Sequence, residues 1–562
     1  MGYSPGMVHD VPTARPTHDG VTRAVDAVVI GAGPNGLVAA NRLVDEGWSV
    51  LVLEQQPEVG GAVASDRELD PDFVHDTFSA FYPLAAASPT IHGLGLEDHG
   101  LRWVHAPAVL GHPLRDGSWG LLHRDREVTA SLAEAAHPGD GEAWLRLCAL
   151  WDRIGDPVVD GLLSPFPPVR AAVRGLPRLL RGGGIDVADA LLSPASRFAR
   201  RFEGPGLQAL VAGNAGHADI PLGDVGSGMM GLLMSMLGQT VGFPVPEGGA
   251  GELTRALARR LEAHGGEIRC DAAVEGIDVE HGRVRRVRTA GAAYVVRAVV
   301  ASVTAPQLYG APSGPPGADR TGLVRPEDLP ARVRLGMRRF VMDPSTVKVD
   351  WALDGPAPWA QAPAYAPGTV HVADSVADMT RATGQVAAGV VPDRPFLLAG
   401  QMTTADPTRS PAGTESFWAY THVPQVVRQD AGDEGLDGTW DHDACERFAD
   451  RMQARLEVLA PGFGSRVRAR RVLGPRELEA RDANLVGGAI GGGTSRLRQQ
   501  LVLRPVPGGG RAETGIAGLY LGSSSAHPGG GVHGAAGDNA ARAALAHERG
   551  RRLLPGRSRR TG

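Results

Sequence analysis

Gly31, Gly33 and Gly36, followed by Glu54, are the residues of this 562-residue chain whose types and spacing point most directly to chemistry. They lie in VDAVVIGAGPNGLVAANRLVDEGWSVLVLEQ, where an apolar run, Val25–Ile30, precedes the glycines. A helix-like stretch then reaches about Glu46, and a second apolar run, Ser49–Leu53, ends on Glu54. In such a unit the first glycine permits a tight turn, the second lets a diphosphate approach the backbone, and the third lets helix and strand pack closely. The helix N-terminus, at Pro34 and Asn35, adds free N–H groups and partial positive charge. An acid at the end of the second strand accepts hydrogen bonds from ribose hydroxyls. All these parts fall in register, so the segment is expected to bind a dinucleotide.

Two further features stand out chemically. AHPGGGVHGAAGDNAA, residues 526–541, puts three glycines after a proline, with a histidine on either side and a small-residue helix behind. Glycine is costly to order, and a run of it lets backbone come close to another group. Lys348 is the only lysine among 57 basic residues. In STVKVDWAL, strand alternation puts it on one face with Asp350 and opposite Val347 and Val349.

Gly60-Gly61, flanked by Gln55 and Ala62 and close behind Glu54, is similar to the loop of FAD-binding flavoproteins that runs along the cofactor. VPEGGAGELTRALARRLEAHGGEIRCDAAVEGIDVEHGRVRRVRT resembles the second part of a split FAD domain. It has a helix at 252–264, strands at 267–270 and 274–279, and a turn at His281-Gly282 that returns through 283–288. That resemblance puts Ala273 and Val274 beside the adenine. GLYLGSSSAHPGGGVHGAAGDNAA resembles the third part, with a strand at 519–521 and a helix from about Gly534. By resemblance, Gly522 and Ser523 meet the ribityl chain, Gly531, Val532 and His533 face the flavin, and the glycine run leaves room for the ring.

Three such segments in this order resemble the phytoene desaturase and retinol saturase superfamily, in particular its pyridine nucleotide-disulfide oxidoreductase domain-containing branch. The resemblance implies an α/β fold: a split Rossmann-like FAD domain of glutathione-reductase type with an interleaved α+β substrate domain. It implies FAD, held non-covalently because no cysteine lies near Ser523–His533. The expected reaction removes hydride from carbon in a small apolar organic substrate to form a C=C bond. Amine oxidation, a saturase working in reverse, and an FAD-retaining binding protein are the alternatives. Many relatives carry arginine where this chain has Ala62, which leaves Arg42 or Arg67 as phosphate partner.

Lys348 resembles the strand lysine that holds a water against flavin N5 in flavin amine oxidases; pairing with Asp350 is the alternative. His527 adjoins the expected flavin edge, either as an acid–base group or as a loop histidine bonded to backbone. His533 has the same two readings. Asp538 and Asn539 read as capping or packing residues, and His75 and Asp76 lie in a loop that should pass near the ring.

Length calls for more than one core. The FAD domain is expected at 23–91, 241–319 and 466–549, and the substrate domain at 92–240, mostly helical, and 320–465. A disordered tail at 1–22 and a basic tail at 550–562 flank them. No signal-peptide pattern opens the chain, so a cytoplasmic location, with peripheral membrane contact as an option, is expected. No basic stripe points to nucleic acid, and oligomeric state is not legible. Cys148, Cys270 and Cys445 form no CxxC, and no metal-ligand spacing occurs, so neither metal nor dithiol chemistry is expected. A second strand–GxGxxG–acid unit is missing, so oxygen, a quinone or transient NAD(P) is the expected electron acceptor. The uncharged stretch 225–246, rich in methionine, reads as a buried helix, as a flexible wall facing an apolar ligand, or as a span.

Overall fold

The computed structural model describes residues 21–180, 184–312 and 319–553. The expected tails, up to residue 20 and from residue 554, lie outside the described residues. Residues 21 and 22 already belong to the first strand, Val21–Ile30, so ordered structure begins before the apolar run does. At the other end the helix Ala535–Leu553 continues through residues assigned above to the basic tail.

The first strand sits in the middle of a seven-stranded sheet, with Val50–Leu53 parallel on one side and Ala292–Ala301 parallel on the other. Its residues Ala27, Val28 and Val29 are fully buried, as a parallel strand covered on both faces requires. Glu267–Arg269 extends the sheet beyond Val50–Leu53. Ala292–Ala301 has two partners on its outer side. Its first half takes Arg283–Thr289 antiparallel, and its last residues take Leu519–Leu521 parallel, with Val299 opposite Leu519. Sequence-distant segments therefore close one sheet, and their strand ends converge where the first helix begins.

Close backbone contact fixes that convergence. The helix Pro34–Asp45 starts at the glycine turn, and a methyl on Gly36 would stand 2.0 Å from the Gly31 carbonyl oxygen. A methyl on Gly537, in the last helix, would stand 1.8 Å from the Asn35 carbonyl oxygen. The first and last helices thus touch backbone to backbone.

A second seven-stranded sheet carries the interleaved α+β unit. Its order is Val467–Leu473, Ser345–Leu353, Glu415–Val423, Leu397–Gln401, Pro367–Val372, Ala108–Pro113 and Trp119–Leu122. One face is apolar: Val347, Val349, Trp351, Val370, Phe417 and Ala419 pack on the helix His442–Leu459 through Phe448, Met452 and Leu456. Register puts Thr346, Lys348, Asp350, Trp418, Tyr420, His422 and His371 on the opposite face. Helices cover part of it, Pro205–Ala215 among them, where Gly213 lies against His371. The methionine-rich stretch forms the helix Ser227–Thr240, with Met234 and Met236 in a core beside Leu110 and Leu122. Met229 and Met230 are half-buried at its edge. Among the described residues no helix is long and apolar enough to cross a membrane.

Gly537→Ala should lower the urea unfolding midpoint, because forcing atoms into a packed contact costs about 1–3 kcal/mol. An unchanged midpoint would mean that the two helices part without penalty.

Candidate functional site

The glycine turn is built as its sequence predicts. Gly31 has φ +94°, a conformation that favours glycine, and its N–H donates to the Leu53 carbonyl at 2.8 Å. Gly33 is the N-cap of the first helix and Pro34 occupies its first turn. Glu54 is buried and pinned by backbone from both sides: Oε2 accepts the Ala32 N–H at 2.6 Å and Oε1 the Gln56 N–H at 3.0 Å. The carboxylate keeps unused lone pairs and a fixed direction.

These groups border a cleft of about 1030 Å³. Of the residues singled out in the sequence, Gly31, Gly33, Pro34, Asn35, Glu54, Gln55, Gly61, Ala62, Val274 and Ser523 line it. The others take supporting positions. Gly36 packs on the turn, Gly60 donates to the Ala32 carbonyl at 3.1 Å, and Gly522 lies against Val300 and Ala540. Gly531 faces Leu84, Val532 packs on the core, and the His533 carbonyl accepts from Ser88 Oγ at 2.7 Å. Thr304 and Gln307, at the short helix Ala305–Tyr309, and Asp482, Asn484 and Gly492 line the cleft without any sequence signal, because they arrive from segments far along the chain. Asn35 Oδ1 and Thr304 Oγ1 are buried there without hydrogen-bond partners.

The cleft's charge is one-sided. Glu54 and Asp482 line it, and among the described residues no arginine does. Arg42 donates instead to Asp538 at 2.7 Å, and Arg67 to the Pro71 carbonyl at 2.8 Å, so neither proposed phosphate partner reaches the cleft. Burial pushes the Asp482 carboxyl up to about 6, and the charge of Glu54 adds to the effect. The helix N-terminus contributes positive potential there.

The glycine run is closely bordered by protein, with Arg504 beside Gly529 and Leu84 beside Gly531. A methyl on Gly530 would stand 3.0 Å from the Cα of Gly491, so the run packs on a second glycine loop. Between them lies Arg504, fully buried. Its guanidinium donates to the carbonyls of Gly491 (3.0 Å), Gly493 (3.2 Å), Thr494 (3.0 Å) and Ser524 (2.7 Å). On the other side of the same loop, Asp343 accepts the N–H groups of Gly491 (2.5 Å) and Gly493 (2.8 Å). Asp219 accepts Ser495 N–H and Thr494 Oγ1, both at 2.7 Å. Burial pulls Arg504 down to about 10, against the opposing charges of Asp343 and Asp219.

This loop also walls a second cavity, of about 200 Å³. Ile490 and Gly492 face the cleft, while Thr494 and Arg496 face the cavity, whose sides include Ile220, Val341, Val386, Phe396 and Leu398. Lys348 lines neither space. It is buried and ion-paired with Asp350, which Arg471 also contacts at 2.8 Å. Burial draws the Lys348 ammonium down, against the attraction of Asp350. His527 Nε2 bonds the Ser164 carbonyl at 3.0 Å and also lies outside both spaces. His533 Nδ1 takes the Ala535 N–H at 3.0 Å, a capping role. His75 and Asp76 are buried: His75 Nδ1 meets Ser416 Oγ at 3.2 Å, and Asp76 pairs with Arg409 at 2.9 Å.

Comparison with known proteins follows this geometry. NAD(P)-binding Rossmann-like domains match residues 29–94. The chain is 30% identical to pyridine nucleotide-disulfide oxidoreductase domain-containing protein 2 of Rattus norvegicus, over 92% of each chain. It is 28% identical to hydroxyneurosporene desaturase of Rhodobacter capsulatus, over 93% of this chain and 98% of that one. It shares its fold with cyclohexylamine oxidase from Brevibacterium oxydans at a TM-score of 0.53 and 15% identity, covering 94% of this chain and 100% of that chain.

Arg504→Met should destabilise the chain by at least about 1–3 kcal/mol, the cost of leaving a buried acceptor without its donor. Arg504→Lys should recover only part of this, because an ammonium cannot span the same carbonyls. Equal unfolding midpoints for wild type and Arg504→Met would show that the loop stands without its clamp.

Proposed function

We propose a reaction from one premise: the chain belongs to the family of pyridine nucleotide-disulfide oxidoreductase domain-containing protein 2, within the flavin-dependent oxidoreductases. The reaction is dehydrogenation of carbon in an apolar organic substrate, leaving a C=C bond. Carrying this reading is the loop 490–496, a shared wall between a dinucleotide cleft and a cavity with apolar sides.

FAD is the dinucleotide we assign to the cleft. Its fit rests on the glycine turn and on two buried polar atoms, Asn35 Oδ1 and Thr304 Oγ1, that lack partners within the chain. When bound, FAD supplies the hydride-accepting chemistry. The N–H groups at the start of the first helix would hold its diphosphate, and Glu54 would accept from ribose hydroxyls. Val274 would border the adenine, and Ser523 the ribityl chain. On the cavity side, His422 Nε2 is buried without a partner, and burial keeps the ring below the usual imidazole range. A neutral imidazole can take the proton released from substrate. Amine oxidation is the weaker reading, because Arg496 and Arg498 line the cavity and repel an ammonium. Oxygen, a quinone or transient NAD(P) is the proposed electron acceptor.

The purified chain should be yellow and release FAD, not FMN, on denaturation. Glu54→Ala should lower FAD occupancy, since a hydrogen bond to a charged group contributes about 1.5–3 kcal/mol; full occupancy in that variant would remove Glu54 from the site. Anaerobic addition of a true substrate should bleach the flavin and yield a product lighter by two hydrogens in mass spectrometry.

A pH dependence follows from Asp482. Its carboxyl is neutral below about 6 and ionised above, where it repels a diphosphate across a cleft without basic side chains. FAD affinity should therefore fall as pH rises through about 6, by about tenfold for each unit by which the bound diphosphate raises that carboxyl. Asp482→Asn should flatten the profile. A flat wild-type profile, read by fluorescence titration of the apoprotein, would separate Asp482 from the phosphates.

A further inference from the structure

We propose that the second cavity binds an apolar molecule that ends in an anionic group, held at the mouth by Arg496 and Arg498. This deepens the reading of the reaction by naming a substrate class, and it rests on that reading only in calling the ligand a substrate.

The cavity has a volume of about 200 Å³, room for a slender chain more than for a bulky ring system. Its sides are aliphatic and aromatic, with Val341, Phe396 and Leu398 as examples. Such walls favour an apolar body through burial of its surface. Its charges are the informative part. Asp219 is the acid on the wall, and both its oxygens are already engaged, by Ser495 N–H and Thr494 Oγ1 at 2.7 Å. Arg496, with 29% of its side chain exposed, comes no closer than 3.8 Å to a carboxylate, that of Asp224. Arg498 is exposed and makes no ion pair among the described residues. The wall therefore presents two guanidinium groups with free donors and one carboxylate that already accepts a hydrogen bond on each oxygen.

Guanidinium groups recognise carboxylates and phosphates by paired charge-assisted hydrogen bonds. Apolar sides below such a mouth select an amphipath with its anionic end outward. A ligand seated this way has its body against Thr494, one side of the loop whose other side faces the dinucleotide cleft. That is the arrangement a dehydrogenated carbon requires, with the charged end kept away from the reacting centre.

The test is isothermal titration of the full-length protein with dodecanoate and with dodecan-1-ol, which share an apolar chain and differ in charge. Wild type should bind dodecanoate more tightly. Arg496→Met combined with Arg498→Met should weaken dodecanoate about tenfold or more, the scale of a charge-assisted hydrogen bond, and move dodecan-1-ol less than about twofold. Val386→Trp, which fills the cavity wall, should weaken both probes. Equal affinity of wild type for the two probes overturns the proposal. So does dodecanoate binding that survives the double arginine variant or the Val386→Trp variant, or the absence of binding by either probe. The measurement needs no turnover, so a failure to bleach flavin with any substrate would sink the dehydrogenase reading and leave this one standing.

Discussion

A single loop, residues 490–496, is held by opposite charges on its two sides, and both cavities are shaped by it. Asp343 and Asp219 take its N–H groups and a hydroxyl, while Arg504 takes its carbonyls. A peptide chain rich in glycine loses much entropy on ordering, and buried backbone groups left unpaired would add to that cost. The clamp answers both demands at once. It also accounts for the buried charges, since the guanidinium and the two carboxylates lie around the same backbone and compensate each other. Gly492 and Gly493 adopt φ +68° and +126°, which favour glycine, and a methyl on Gly493 would stand 2.6 Å from the Phe340 ring.

The dinucleotide cleft solves its electrostatics differently. Glu54 and Asp482 line it without a basic side chain, so attraction for a diphosphate rests on helix N–H groups and the helix dipole. Such a site depends on position more than on net charge. The contact of Gly537 with the Asn35 carbonyl and of Gly36 with that of Gly31 keeps the helix end in place. Close packing and ligand geometry are here the same property.

The second sheet divides its labour between two faces. Its apolar face buries Val347, Trp351 and Phe417 under a long helix and stabilises the unit. Its other face gathers groups that are polar yet close to neutral in sum. His217 and His371 meet through Nε2 atoms at 3.0 Å, and burial holds His217 near 4 and His371 well below its usual value. Lys348, Asp350, Arg471 and Asp66 alternate in sign along one chain of ion pairs. Neutral rings and closed ion pairs leave little field across the face, which suits a neutral apolar body better than a charged one.

Sequence alone determined what is local. The turn at Gly31, the helix from Pro34 and the acid at Glu54 lie within one short unit, and hydrogen bonds to near neighbours fix them. Alternation around Lys348 likewise puts it on one face with Asp350, and the fold pairs the two. Period and spacing carry such information because side-chain direction is set by backbone geometry. The partners of these parts are a different matter. Asp482, Thr304 and Gln307 reach the cleft from remote segments, and nothing in ARDANL or VTAPQL marks them. The glycine run has backbone from residue 491 as a neighbour, a contact that no local pattern records. Arg504 is one of many arginines in the sequence and becomes a clamp only when burial removes water from its donors. Which charges are left free, and toward which cavity, is decided by long-range packing, because burial is a property of the folded chain and not of the residue.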